Sequence, residues 1–146
     1  MYICKGKILG MIYITRKEHF SASHKLFNEG WTDEENEAVF GKCANPNGHG
    51  HNYQVYVTIK GEPDKETGFL VNLKIISAII NEFVIDGVDH KNLNEDVDFL
   101  QGRLPTTENV VKGIWDQLHP EINKLNCTLH CVKLQETDNN YAEYYG

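Results

Sequence analysis

The sequence predicts an α+β fold in which an antiparallel β-sheet carries two helices on one face, in the order β-β-α-α-β-β. Three observations support this prediction. Two long runs in the first half of the chain are rich in β-branched and aromatic residues, and the second run alternates between apolar and polar side chains. Two stretches in the second half place apolar residues at helical spacing. Two short runs then close the chain, and grouped strands and helices of this kind are typical of α+β domains.

The first two predicted strands lie on either side of an acidic segment. Residues 8–23 form the first strand, because the run ILGMIYITRKEHFSAS is β-branched and aromatic in character. Residues 28–40 are acidic and are expected to form an exposed loop with a short helix. Residues 51–62 alternate between apolar and polar side chains, which is typical of a half-buried strand. The turn-rich sequence EPDKETG then leads to the helices.

Two amphipathic helices are predicted over residues 72–86 and 106–119. We interpret both apolar stripes as core packing and not as cofactor sites. Pro105 precedes Thr106, which is a candidate N-cap, and Pro120 marks the end of the second helix or a break in it.

The two closing strands are predicted over residues 127–136 and 140–145, with a tight turn at 138–140. No internal repeat, low-complexity segment or linker divides the 146 residues. The chain is therefore expected to form one domain.

Composition and charge exclude several classes of protein. Apolar residues make up 40% of the chain and charged residues 24%, which indicates a globular protein. A net charge of −7 without a Lys/Arg block argues against nucleic acid or an anionic membrane as a partner. No apolar run approaches the roughly 20 residues that span a bilayer, and no secretory signal is evident. Four scattered cysteines favour a cytoplasmic protein with reduced thiols.

The most informative motif is C-A-N-P-N-G-H-G-H, residues 43–51. His49 and His51 are spaced i, i+2, so they share one face if a strand begins there. His24, at the end of the first strand, is the best candidate for a third imidazole, since pairing of the first two strands would bring it alongside. Three histidines with an open fourth position are typical of catalytic zinc. From spacing alone, Cys43 is equally well a fourth ligand or a separate base or nucleophile.

Two further groups carry weaker signals. Asp89 and His90 are adjacent, and a carboxylate can orient an imidazole for proton transfer, although the pair is also compatible with an ordinary loop. Glu136 follows a predicted strand. On its position alone a solvated strand-end carboxylate is favoured over a buried acceptor for the N–H groups of a heterocycle.

Together these residues resemble the eukaryotic type of the 6-pyruvoyl tetrahydropterin synthase family. The resemblance covers residues 12–146 and leaves residues 1–11 as an N-terminal extension. Five motifs occur in order, which makes the resemblance specific: F-S-A-S-H (20–24), F-G-K-C-A-N-P-N-G-H-G-H-N-Y (40–53), D-H-K-N-L (89–93), P-T-T-E-N (105–109) and E-T-D-N-N (136–140).

The resemblance implies a tunnelling fold (T-fold), in which the sheets of three subunits join into a barrel and two trimers stack as a homohexamer. The implied activity is a lyase reaction of tetrahydrobiopterin biosynthesis. It converts 7,8-dihydroneopterin triphosphate to 6-pyruvoyl tetrahydropterin with loss of triphosphate. One Zn²⁺ per subunit is implied as cofactor. The family is also associated with a Mg²⁺ requirement, which no motif here identifies.

The resemblance also implies roles for individual residues. Cys43 corresponds to the proton acceptor, while Asp89 and His90 correspond to a relay pair that a neighbouring subunit contributes at the subunit interface. Glu136 corresponds to the pterin anchor. The remaining implied site residues are the zinc ligands His24, His49 and His51 and the pocket-lining Thr106 and Thr107. Lys25 and Lys42 are candidates for holding the triphosphate, because they adjoin His24 and Cys43.

Two other functions are compatible with parts of this sequence. A 6-carboxytetrahydropterin synthase of deazaguanine (queuosine) biosynthesis would share the fold, but that family usually has its cysteine four residues before the first histidine of H-G-H. Cys43 precedes His49 by six. The second rival is a non-catalytic zinc or pterin binding module, in which Cys43 would be dispensable.

Overall fold

The computed structural model describes residues 10–146. Strands β1 (Ile12–His24) and β2 (His49–Gly61) pair antiparallel over their full length, from Ile12↔Gly61 to His24↔His49. Side chains alternate between the two faces of the sheet, and the residues of β2 from Tyr53 to Ile59 on one face are buried. The pairing therefore brings the end of β1 against the start of β2.

Strands β4 (Thr128–Thr137) and β5 (Asn140–Tyr144) extend the sheet. They form a hairpin across a two-residue turn, and β4 pairs antiparallel with β2. A short strand β3 (Lys91–Asn92) pairs parallel with β1, so the strand order is β3-β1-β2-β4-β5. The sheet is thus mixed. The sequence did not predict β3, because two residues are too few to show an alternating pattern.

Along the chain, the other helices follow β2 and precede β4. Helix α1 (Asp33–Phe40) instead lies in the connection from β1 to β2. Helix α2 (Leu73–Ile80) continues through a π-helical turn (Asn81–Ile85) into a final turn, α3 (Asp86–Val88). Helix α4 (Thr107–Ile122) returns the chain to the sheet. Two 3₁₀ turns complete the structure, at Gly41–Ala44 and Asp98–Leu100.

The core lies between one face of the sheet and the helices, as the two apolar stripes predicted. Both stripes are buried or packed against the buried cluster. The fully buried members include residues from the sheet and from both stripes: Val55, Val57, Ile76, Ile80, Val84, Ile114 and Leu118. Burial of these side chains supplies the main driving force for folding, at about 1.5–3 kcal/mol for each large residue.

Helix α4 differs from its prediction at the C-terminal end. Pro120 lies inside the helix, which ends two residues later at Ile122. A proline has no N–H, so the helix lacks the hydrogen bond that this position would otherwise make to the carbonyl oxygen of Asp116. Ile122 is fully buried, so packing holds the last turn in place.

The predicted extension, residues 1–11, lies almost entirely outside the described residues. Only Gly10 and Met11 are described, and both are exposed. Among the described residues, every helix is too short or too polar to cross a membrane.

Candidate metal and pterin site

Three histidines converge where β1 ends and β2 begins. His24 and His49 are direct partners in the strand register, and His51 pairs with Ala22, so all three side chains project from the face that carries the helices. One ring nitrogen from each lies within 4.8 Å of the others. The strand pairing that was predicted from the sequence therefore assembles a three-imidazole cluster.

Gly48 permits this close approach of the two strands. Its φ is +67°, a left-handed conformation that disfavours side chains. A Cβ at this position would lie 2.9 Å from the carbonyl oxygen of His24. A larger residue would therefore push His49 away from His24.

The geometry of the cluster suits a bound metal ion. His24 Nε2 and His49 Nε2 are 3.2 Å apart. Two nitrogen ligands at about 2.0–2.1 Å from one tetrahedral ion would be about 3.3 Å apart. His49 Nδ1 and His51 Nε2 are buried without hydrogen-bond partners among the described residues. Buried polar atoms are normally satisfied, and an ion bound between the rings would give His51 Nε2 a partner.

The protonation states of the histidines also suit a metal. His24 Nδ1 lies 2.8 Å from the carbonyl oxygen of Pro105. Because that oxygen only accepts, Nδ1 carries the proton and Nε2 keeps its lone pair for a ligand. Burial is the main cause of a lowered pKa at both His49 and His51, and the charge of Glu136 opposes the shift. Neutral imidazoles are the form that binds metals.

Cys43 does not belong to this cluster. It lies in the 3₁₀ turn between α1 and β2 and is half-buried. Its carbonyl oxygen accepts a hydrogen bond from the backbone N–H of Leu26, at 2.8 Å. In the described part of the chain, the histidines form the metal-competent group without the thiol.

Glu136 is half-buried beside the cluster and is not a fully solvated strand-end carboxylate. Its side chain is 15% exposed, and Oε1 lies 3.5 Å from His51 Nε2. Thr107 Oγ1 donates a hydrogen bond of 2.5 Å to Oε2. Thr106 Oγ1 instead caps α4 by accepting from the N–H of Asn109 at 3.2 Å. Glu136 and Thr107 thus form one wall of the histidine pocket, and Thr106 supports it from the helix.

Asp89 and His90 lie apart from the histidine cluster, at the edge of the sheet. Asp89 Oδ2 is 3.0 Å from His90 Nδ1, and Oδ1 accepts from the N–H of Ser21 at 2.9 Å. The N–H of Ser21 and the contact with His90 lower the pKa of Asp89. The imidazole of His90 is 82% exposed. It borders a cavity of about 400 Å³ with Ser21 and Asn52, which project from the opposite face of the sheet.

Lys25 directly follows His24, and Lys42 lies in the 3₁₀ turn Gly41–Ala44. Lys25 Nζ is 4.4 Å from the centre of the Phe27 ring, a cation–π contact. Lys25 borders a cavity of about 770 Å³ together with His24, and a second cavity of about 620 Å³ together with Lys42.

Sequence reasoning missed Tyr53. This side chain is fully buried, its ring centre is 5.5 Å from that of His51, and its hydroxyl has no partner among the described residues. Burial raises the pKa of Tyr53 far above its usual range, and the nearby Glu136 and Cys43 add to the effect. The signal was available, since Tyr53 continues the i, i+2 series of His49 and His51.

Comparisons with known proteins agree with the predicted family and fold. Residues 13–146 match the family model described as 6-pyruvoyl tetrahydropterin synthase. A relative from Pongo abelii, named 6-pyruvoyl tetrahydrobiopterin synthase, is 47% identical over 133 residues, which are 91% of this chain and 90% of the relative. The 6-carboxy-5,6,7,8-tetrahydropterin synthase of Bacillus subtilis is 31% identical over 136 residues, with 90% and 83% covered.

The structure is also similar to that of Caenorhabditis elegans 6-pyruvoyl tetrahydropterin synthase. The TM-score is 0.86 at 36% identity, and the match covers 94% of this chain and 97% of the other. This similarity confirms the prediction of a T-fold subunit with helices packed on the sheet. The chain belongs to the 6-pyruvoyl tetrahydropterin synthase family.

Proposed function

We propose that this protein is a zinc-dependent lyase that converts 7,8-dihydroneopterin triphosphate to 6-pyruvoyl tetrahydropterin and triphosphate. One observation carries the proposal: a half-buried carboxylate, Glu136, lies 3.5 Å from His51 of a three-histidine cluster. A metal site and an acceptor for the N–H groups of a heterocycle therefore share one pocket. The name of the Pongo abelii relative supports the same activity.

His24, His49 and His51 hold one Zn²⁺ per subunit in this proposal. The hydrogen bond from His24 to the Pro105 carbonyl fixes the ring that presents Nε2. When bound, zinc supplies Lewis acidity, which makes the hydroxyl and adjacent C–H groups of the substrate side chain more acidic.

Glu136 anchors the pterin ring. A carboxylate accepts two parallel N–H bonds, one from the ring and one from the exocyclic amino group. The hydrogen bond from Thr107 to Oε2 holds the carboxylate in position and leaves further lone pairs free. A heterocycle without the paired donors would leave this half-buried carboxylate without partners, which makes this contact selective.

Cys43 acts as the base. As a thiolate, its sulfur accepts a proton from a carbon of the substrate side chain, and His90 delivers or accepts protons during the tautomerisation that follows. The C–O bond to triphosphate breaks as the electron pair of the C–H bond moves into the side chain, so no external oxidant is needed. Asp89 orients His90 by their 3.0 Å contact.

His90 serves the site of a neighbouring subunit in a homohexamer. Its exposure at the sheet edge, on the opposite face from the histidine cluster, supports this arrangement. Lys25 and Lys42 hold the triphosphate. Residues 12–146 form the single catalytic domain.

The direct test is to supply purified protein with 7,8-dihydroneopterin triphosphate and to identify the products by mass spectrometry. We expect 6-pyruvoyl tetrahydropterin and free triphosphate. A carboxylated pterin with acetaldehyde would instead assign the chain to the 6-carboxytetrahydropterin synthase activity. Binding of the pterin without any product would favour the non-catalytic module.

A further inference from the structure

The segment that opens α4 contacts both halves of the candidate site. The carbonyl oxygen of Pro105 accepts the hydrogen bond from His24 Nδ1, at 2.8 Å. Two residues later, Thr107 Oγ1 donates to Glu136, at 2.5 Å. One short piece of backbone thus orients a metal ligand on β1 and the carboxylate on β4. A shift of this segment would disturb both at once.

Asn109 holds this segment in place from within the first turn of α4. Its side-chain Nδ2 donates to the carbonyl oxygen of Leu104, at 2.9 Å, and its backbone N–H donates to Thr106 Oγ1, at 3.2 Å. These two bonds bracket Pro105. Asn109 is half-buried and has no hydrogen bond with the histidines or with Glu136.

We propose that Asn109 is a positioning residue that couples metal affinity to pterin binding through the 104–107 segment. This inference rests on the proposed function. His24 is only 1% exposed and takes its tautomer from the Pro105 carbonyl, so an altered carbonyl position leaves its Nδ1–H unsatisfied. The same displacement moves the Thr107 hydroxyl that orients Glu136.

The Asn109→Asp variant distinguishes a positioning role of Asn109 from a general effect on the stability of α4. Asn109 is the third residue after the Thr106 cap, where a negative charge is favourable to the helix dipole. The substitution keeps the shape of the side chain but removes the donor to Leu104. Asn109→Ala, the second variant, removes the whole amide group, including the donor to the Leu104 carbonyl. Loss of an outer-shell partner typically weakens metal binding about 10–100-fold.

Asn123→Ala is the matched control. Asn123 is the C-cap of the same helix, and its Oδ1 accepts from the N–H of Leu129 at 2.9 Å. The variant loosens the other end of α4, far from the Pro105 carbonyl.

The experiment measures two quantities in the full chain: the zinc dissociation constant, by competition with a chromogenic chelator, and KM for 7,8-dihydroneopterin triphosphate. For Asn109→Asp we expect both to rise about tenfold with a melting temperature near that of the wild type. Asn123→Ala should lower the melting temperature and change neither quantity.

The proposal is overturned if Asn109→Asp and Asn109→Ala leave both quantities unchanged, or if only one quantity moves. An equal loss of zinc affinity in Asn123→Ala would also overturn it, because general destabilisation would then explain the effect. If the wild type makes no product from this substrate, the proposed function fails, and the zinc dissociation constants then decide only whether Asn109 positions the His24 ligand.

Discussion

Glu136 Oε1 lies 3.5 Å from His51 Nε2, so the carboxylate of one strand faces the metal-competent histidine cluster of the next. This contact is not a hydrogen bond, since His51 Nε2 has no hydrogen-bond partner among the described residues. The second oxygen of Glu136 is held by Thr107. This arrangement gives the carboxylate a fixed orientation toward a pocket where a heterocycle could bind.

Glu136→Gln is expected to weaken substrate binding while zinc is retained. The change removes the charge that strengthens hydrogen bonds to the pterin N–H groups, at a cost of about 1.5–3 kcal/mol, or roughly 10–150-fold in KM. Steady-state kinetics and zinc content are the measurements. Glu143→Gln, in an exposed hydrogen bond with Tyr145, is the control and should behave like the wild type. A wild-type KM for Glu136→Gln would remove Glu136 from the pterin site.

Cys43→Ala is expected to retain one zinc per chain and to lose release of triphosphate. The reason is that the three histidines form the metal-competent cluster without the thiol. Zinc content and triphosphate release are measured on the same preparation, with Cys127→Ala as a control that keeps both. Loss of zinc from Cys43→Ala would show instead that the cysteine is a ligand.

Tyr53→Phe is expected to stabilise the metal-free protein by about 1 kcal/mol. A buried hydroxyl without a partner costs free energy, and phenylalanine preserves the ring that stacks on Phe20 at 4.8 Å between centres. Urea denaturation in the presence of a chelator measures the free energy of unfolding. A clear decrease would mean that the hydroxyl is hydrogen-bonded, for instance through water.

Mixing two inactive variants tests whether subunits share a site. Cys43→Ala and His90→Ala chains, refolded together, should regain part of the activity, because a mixed assembly contains some sites with both an intact Cys43 and an intact His90. Each variant refolded alone is the control. If assemblies shown by mass spectrometry to contain both chains stay inactive, His90 does not act across a subunit interface.

Much of the fold and the three-histidine cluster could be predicted from local patterns in the sequence. The i, i+2 spacing of His49 and His51 fixes a shared face, and antiparallel pairing of the first two strands brings His24 alongside. The helical stripes identified the core for the same reason, since periodicity alone determines which side chains share a face.

Other features depend on contacts between distant segments, which periodicity does not reveal. Glu136 looked like a solvated residue because its partner Thr107 lies 29 positions away in sequence. The hydrogen bond from His24 to the Pro105 carbonyl spans 81 positions. Because its acceptor is a backbone atom, it cannot be predicted from the residue types. The exposed position of His90, on the opposite face of the sheet from the cluster, likewise depends on the strand β3 that the sequence did not predict.

The central claim, a zinc-dependent lyase built on three histidines, is tested most directly by adding zinc back to chelator-treated protein. Turnover of 7,8-dihydroneopterin triphosphate is measured at each addition, for the wild type and for His49→Ala. The account predicts that wild-type turnover rises in proportion to zinc and stops at one equivalent per chain, while His49→Ala stays inactive. Full turnover by the zinc-free wild type, or by His49→Ala, would contradict it.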